Sequence, residues 1–262
     1  MKIVVCIKQV SDTTEARLDP KTGNLILDGV PSIINPDDKS GLEAALRLRE
    51  PVGGTVTVVC MGPPQAEAAL REALAMGADE AYLLSDRKFS GSDTYATAAI
   101  IAAALKMIGY DLVVTGRQAI DGDTAQVGPQ IAEQLQIPQV TYAEELAVED
   151  GSVIVKRQFE DQAHVLKVQT PCLVTALSGL AEPRYMNLGS LLDAYNTEIK
   201  VWGFDDLKAD LNLEWIGLTG SPTNVFMSFG KQPKKSGHPL TGLSADEAVA
   251  VIMEKLIERH II

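Results

Sequence analysis

Four short runs rich in β-branched or other apolar residues, "KIVVCIK", "GTVTVVCMG", "EAYLL" and "DLVVTG", recur up to Gly116, and segments of helical character separate them. That alternation constrains the fold more than any other feature. Continuous apolar runs suit strands buried on both faces, and intervening helices supply the crossovers that parallel strands need. The helical signals are specific. "NPDDKSGLEAALRLRE" opens on Asn-Pro-Asp and spaces Leu42, Ala45, Leu46 and Leu48 along one side. "PPQAEAALREALAMGA" has Pro at its start and Gly77 at its end, and "SDTYATAAIIAAALKMIG" is capped by Ser92 or Asp93 and closed by Gly109. The expected architecture is α/β, a parallel sheet with helices on both faces.

From about Ala143 the texture changes. "EELAVEDGSVIVKRQFE", turning at Glu149-Asp150-Gly151, reads as a β-hairpin, and "AHVLKVQTPCLVTAL" adds two extended segments, giving an antiparallel or mixed edge on the parallel core. Earlier, "LDPKTGNLIL" reads as two short strands joined by a turn at Pro20 to Asn24. Beyond Glu198 both tryptophans and scattered apolar residues occur without periodicity, before a last helix whose Ser244 and Glu247 form a capping box. Residues 1–198 are therefore taken as the α/β domain. Residues 199–262 are read as an arm wrapping another surface, with a loop-rich subdomain as the alternative.

Acidic residues number 35 against 23 lysines and arginines, a formal charge of −12. Without a basic block such a chain gains nothing from a phosphate backbone, so nucleic acid is not an expected partner. No apolar run has membrane-spanning length, and Lys8 interrupts the start before a leader could form, so a cytoplasmic location is expected. Cys6, Cys60 and Cys172 lie far apart in apolar runs, and His164, His238 and His260 are equally scattered. Neither a metal site nor an iron–sulfur centre is expected.

The stretch "TGRQAIDGDTAQVGPQIAEQL" leaves the fourth run through a turn rich in Gly and Asp and enters a helix. If Thr124 caps that helix, Pro129 bends its first turn; if the helix begins at Pro129, residues 121–128 form an open loop. Either way amides between Asp121 and Gly128 lack partners, which suits an anion, with Arg117 as a possible counter-charge. A plain strand-to-helix turn remains the alternative. The junctions "INPDD", where Asn35 is an ordinary N-cap candidate, and "CMGPPQ" belong to the same ligand edge, with Cys6 and Lys8 as the floor. No GxGxxG, P-loop or GxSxG motif occurs, and "FSGSDT" reads as a helix cap. "AEPRY" precedes the helix "NLGSLLDAY", either as an exposed docking loop or as an ordinary connection.

Taken in order, "VVCIKQV", "INPDD", "CMGPPQ", "AMGADEA", "GRQAIDGDTAQVGPQIAE" and "AEPRY" resemble the β subunit of electron-transfer flavoprotein over nearly the whole chain. The family's hairpin signature is present as "VKRQFEDQAHVLKVQTPCLVTA", departing at Gln162 and His164. The resemblance implies a Rossmann-like adenine-nucleotide-binding domain, half of a heterodimer, with a C-terminal arm around the α subunit. In the family's ordinary branch the β pocket holds AMP. In the anaerobic branch it holds an FAD that takes hydride from NADH and bifurcates the electrons, one to ferredoxin and one to the α-subunit FAD and a flavin dehydrogenase. The AMP branch tends to carry an acidic residue and Asn-Gln-Thr where this chain has Gly122 and Ala125-Gln126-Val127, so the wording looks like the bifurcating branch.

Carried over by position, the implied nucleotide contacts are Cys6, Asn35, Pro36, Asp37, Asp38 and Met61, and the run Gly116, Arg117, Gln118, Ala119, Ile120, Asp121, Gly122, Asp123, Thr124, Ala125, Gln126 and Val127. Asn35 and Asp38 would meet the adenosine, Cys6 and Met61 would line the adenine slot, and residues 123–127 would hold phosphate. The implied partner-docking residues are Glu182, Pro183, Arg184, Tyr185 and Leu188, with Leu188 as the apolar anchor. The chain offers no evident general acid or base, and the flavin would carry the chemistry. Two alternatives stand beside this reading: an AMP-binding structural subunit, and a free-standing nucleotide-binding regulatory protein.

Overall fold

The computed structural model describes residues 1–12, 17–18, 25–26, 29–224, 237 and 239–262. The strands are β1 (Lys2–Ile7), β2 (Gln9–Ser11), β3 (Arg17–Leu18), β4 (Leu25–Ile26), β5 (Ser32–Ile34), β6 (Thr55–Met61), β7 (Glu80–Leu84), β8 (Leu112–Gly116), β9 (Gln139–Glu149), β10 (Ser152–Gln158), β11 (Ala163–Gln169), β12 (Cys172–Ala176) and β13 (Ile199–Trp202). The helices are α1 (Pro36–Val52), α2 (Glu67–Met76), α3 (Thr94–Ile108), α4 (Val127–Leu135), α5 (Leu188–Asn196), α6 (Phe204–Leu207), α7 (Gly217–Gly220) and α8 (Ala245–Glu258).

One sheet of nine strands, ordered β11-β10-β9-β12-β8-β1-β6-β7-β13, organises the molecule. The seven strands from β9 to β13 along this order pair in parallel, and β10 and β11 add an antiparallel hairpin at one edge. The four apolar runs are β1, β6, β7 and β8, buried along most of their length. Two apolar clusters occupy the two faces. Leu42, Ala45, Leu46 and Leu48 of α1 belong to one, with α2; Ala98, Ile101, Leu105 and Ile131 of α3 and α4 belong to the other. The β1-β6-β7 progression runs to one side of β1, and the chain then crosses to β8 on the other. That reversal is where open α/β sheets bind ligands.

Local chemistry explains the boundaries. Asp93, not Ser92, caps α3 by accepting from the Ala96 amide. The hairpin between β9 and β10 turns on Asp150 and Gly151, both at positive φ, as a two-residue primed turn needs. The turn placed at Pro20 to Asn24 lies outside the described residues, but the strands flanking it, β3 and β4, pair antiparallel. Two sequence expectations are corrected. β12 lies inside the parallel sheet between β8 and β9, because its five residues are buried on both faces and cannot form an edge. The stretch after Glu198 opens with regular structure: β13 pairs with β7 as the other sheet edge, and Tyr82 packs edge-on against Trp202. α6 then packs against α3, while α7 reaches the lip before that helix. By contrast α8 buries no residue.

Candidate functional site

A cavity of about 1040 Å³ opens where β1, β6, β7 and β8 end. Its floor and walls come from four junctions. Those after β1, β6 and β8 were expected from the sequence, the one after β7 was not, and of the "INPDD" junction only Asp38 lines the cavity. Cys6, Ile7 and Lys8 continue β1, and Met61, Gly62, Pro63 and Pro64 leave β6. The segment from Leu84 to Thr94 follows β7, and residues 115–128 follow β8 in part. The third wall was missed because "FSGSDT" reads as a helix cap. It is one, and its Ser92, Asp93 and Thr94 also line the cavity. The position of "EAYLL" as a parallel strand ending at the same edge was the available signal.

The start of α1 shapes this site from behind. Asn35 occupies the N-cap position, yet its side chain caps nothing on its own helix. It is fully buried. Its Nδ2 donates to the Gln118 carbonyl at 2.8 Å and its Oδ1 accepts from the Ile120 amide at 3.0 Å. Both polar ends are thus spent on the loop after β8. Asp38 accepts from the Lys8 amide at 2.8 Å and the Gly116 amide at 2.9 Å, joining the ends of β1 and β8. Burial pushes the Asp38 carboxyl up to about 7, against these amides and Asn35, which favour its charge. Asp37 is likewise raised by burial, opposed by Arg117, whose Nε lies 3.3 Å from its Oδ2.

Beyond that brace the loop opens. The Arg117 amide donates to Ala176, and the amides of Gly122 and Asp123 turn back to the Ala119 carbonyl. Gln118 Nε2 reaches Asp123 Oδ1 at 2.8 Å. Asp123 and Ala125 both hold positive φ, 49° and 53°, a conformation that costs a non-glycine residue. Among the described residues the amides of Thr124, Ala125, Gln126 and Val127 donate to no protein acceptor. α4 begins at Val127, between the two starts weighed from the sequence, which puts Pro129 third in the helix where its missing N–H costs nothing. Gly128 fits tightly: a Cβ there would stand 2.6 Å from Thr115 Oγ1. Gly122 is the opposite case, since a Cβ there would meet nothing within 4 Å.

Of the residues proposed from sequence, the cavity gathers Cys6, Asp38, Met61, Gly116, Arg117, Gln118, Ala119, Gly122, Asp123, Thr124, Ala125, Gln126 and Val127. Asn35, Pro36, Asp37, Ile120 and Asp121 do not line it. Burial pushes the Cys6 thiol well above its ordinary value, so it supplies shape and not a nucleophile. Among the described residues no group of His, Cys, Asp and Glu has metal-binding proximity.

The outer wall has its own supports. Asp86 accepts from the amides of Lys88 and Phe204, which hold its carboxyl below the usual range. Asp93 also accepts from the amide and hydroxyl of Thr223, and its own amide donates to Ser221 Oγ. Thr94 Oγ1 donates to Gln126 Oε1 at 3.1 Å, bridging the outer wall to the β8–α4 loop.

The segment before α5 is a second, separate surface. The Arg184 guanidinium donates twice to Glu43, at 2.8 and 3.1 Å, and once to Glu50 at 2.9 Å, and the Arg184 amide donates to Glu43 as well. Burial works against the Glu43 charge, yet Arg184 and Arg47 keep its carboxyl below the ordinary range. Arg47 also donates to the Glu182 carbonyl, and Ser40 exchanges two hydrogen bonds with Ala181. From this fixed base Tyr185 is 100% and Leu188 74% exposed, and Leu192 and Tyr195 are exposed beside them. Leu188 therefore does not pack under its own helix.

The electron transfer flavoprotein domain model matches residues 22–207. The chain is 55% identical over 263 residues to an electron transfer flavoprotein subunit beta of Thermoanaerobacterium thermosaccharolyticum. It is 53% identical over 264 residues to the caffeyl-CoA reductase-Etf complex subunit CarD of Acetobacterium woodii. It is also 53% identical over 262 residues to an electron transfer flavoprotein subunit beta of Clostridium acetobutylicum. Each alignment covers 100% of both chains.

Proposed function

This chain belongs to the electron transfer flavoprotein family as a β subunit, and on that premise we propose that its cavity holds FAD and serves an electron-bifurcating complex. The observation that carries the reading is the size and shape of the cavity. Small-molecule and cofactor sites run from about 300 to 1000 Å³. At about 1040 Å³ this one stands at the upper end of that range and extends from the open loop at residues 122–127 to the outer wall at residues 84–94, which favours an elongated ligand.

The donor set fits such a group. Four successive unpaired amides and the N-terminus of α4 suit a diphosphate, while Cys6, Met61 and Phe89 offer an apolar lining for a ring. A Cβ at Gly122 would meet no protein atom, leaving that side of the loop open to a ligand. Asn35 and Asp38 hold the loop in place before any ligand arrives, so less ordering is needed on binding. When bound, the flavin would supply hydride acceptance from NADH and one-electron transfer toward ferredoxin and the FAD of an α subunit. The chain's own part is binding, orientation and exclusion of water.

Partner surfaces accompany the site. The face presented by Tyr185, Leu188, Leu192 and Tyr195 is proposed to dock a flavin dehydrogenase, on a base that Arg184 and Glu43 keep rigid. α8, with Val249, Ile252, Met253 and Ile257 exposed, is proposed to lie on the α subunit as part of an arm within residues 199–262. That the relatives are subunits of complexes supports this over a free-standing regulatory protein. Among the described residues no helix is long and apolar enough to cross a membrane.

The test is to co-purify the chain with its α subunit without oxygen and count nucleotides per heterodimer. Two FAD and no AMP are expected. One FAD and one AMP would replace this reading with the structural-subunit alternative.

A further inference from the structure

The cavity carries a cation whose partner is placed outside it. Lys8 lines the cavity just beyond β1, whereas Asp121, to which its ammonium group is bound, does not. Lys8 Nζ donates to both Asp121 oxygens, at 2.8 and 2.7 Å. The two side chains are 48% and 42% exposed. An ion pair that wet is weak and readily exchanged. The Lys8 backbone is fixed independently, because its amide is held by buried Asp38, so the side chain can swing without disturbing the floor.

The other two lining cations are less available to the open loop. Arg117 lies against Asp37, and Arg87 is on the outer wall after β7. Asp86 and Asp93 on that wall are held in the charged form by amides, and Asp123 lines the loop itself. A doubly charged diphosphate entering this setting is favoured by a cation in the same cavity as the free amides of residues 124–127, and Lys8, paired with Asp121 of that loop, is the lining cation on a labile partner.

We infer that Lys8 is a phosphate-binding residue, held by Asp121 in the free protein and transferred from that carboxylate to the ligand's diphosphate on binding. This rests on the cavity being the nucleotide site. Asp121 is then a competitor for Lys8 and not a ligand contact, so removing either partner has opposite consequences.

The experiment is calorimetric titration of the full chain, in complex with its α subunit and stripped of nucleotide, with ADP and separately with adenosine. Loss of one charge-assisted hydrogen bond predicts that Lys8→Met weakens ADP about ten-fold and leaves adenosine unchanged, with Lys8→Arg restoring most of the loss. Asp121→Asn tightens ADP by about three-fold, as the competing carboxylate is gone. If both Lys8→Met and Asp121→Asn weaken ADP and adenosine alike, the pair merely shapes the loop and the inference falls. It falls equally if Lys8→Met leaves ADP affinity unchanged. Absence of binding by the unmodified complex to either ligand would instead overturn the nucleotide site itself.

Discussion

Residues 35–38 and residues 122–127 both reach the end of β8, and they spend their polar groups in opposite ways. In the first segment the side chains of Asn35 and Asp38 carry the chemistry, and it is consumed within the protein. Asn35 closes on Gln118 and Ile120, and Asp38 on Lys8 and Gly116. In the second the backbone carries it, and the amides of Thr124 to Val127 stay unspent at a cost in left-handed conformation at Asp123 and Ala125. A polar residue near a pocket is not thereby a ligand contact. What matters is whether its donors and acceptors are still free.

The contrast can be broken most severely at Gly116. A Cβ there would stand 2.1 Å from Asp38 Oδ1 and 2.9 Å from the Asp38 amide nitrogen. Gly116→Ala should lower unfolding free energy by about 3 kcal/mol in urea titration. Asn35→Ala comes next. It orphans a carbonyl and an amide and should cost about 2 kcal/mol, with ADP binding lost because the loop is no longer shaped. Retained ADP affinity in that variant would move the function of Asn35 away from bracing.

Asp38 sharpens the comparison through pH. Its carboxyl is raised by burial from 3.8 to about 7, so in that window the folded chain binds more protons than the unfolded one. This group's contribution to stability is therefore full below about 4 and is lost as pH rises through about 7. Thermal melts across about pH 4 to 8 should show that decline in the parent chain and a flatter profile in Asp38→Asn. On the open side, Ala125→Gly removes left-handed strain and should change stability by no more than about 1 kcal/mol, favourably, while ADP affinity persists because the amide remains. Smallest of all, Leu188→Ser should shift stability by less than about 0.5 kcal/mol, since the side chain is exposed, yet reduce docking of the dehydrogenase in a pull-down.

These same two segments show how far the sequence can be read. The parallel core was legible because apolar runs and helix caps repeat a local rule, and the loop after β8 was legible because Gly, Pro and Asp leave amides unpaired. Asn35 was not, since an Asn-Pro-Asp start is an N-cap locally and only the three-dimensional approach of Gln118 and Ile120 redirects its side chain. The outer wall escaped for a related reason. Asp93 performs an ordinary cap, and its second partner, Thr223, lies 130 residues away. β13 was hidden by brevity: four residues, half of them exposed, carry no period that a sequence can display.

The bond between Asp93 and Thr223 also has a mechanical meaning. The chain leaves the sheet edge at β13 and, after the Phe204 bond to Asp86, is fastened again to the lip of the cavity by Gly217, Ser221 and Thr223. Among the described residues these bonds join the C-terminal stretch to Asp93 and Ser92, and Thr94 carries the connection on to Gln126. A shortened chain therefore needs to run through Thr223 to keep that rim pinned.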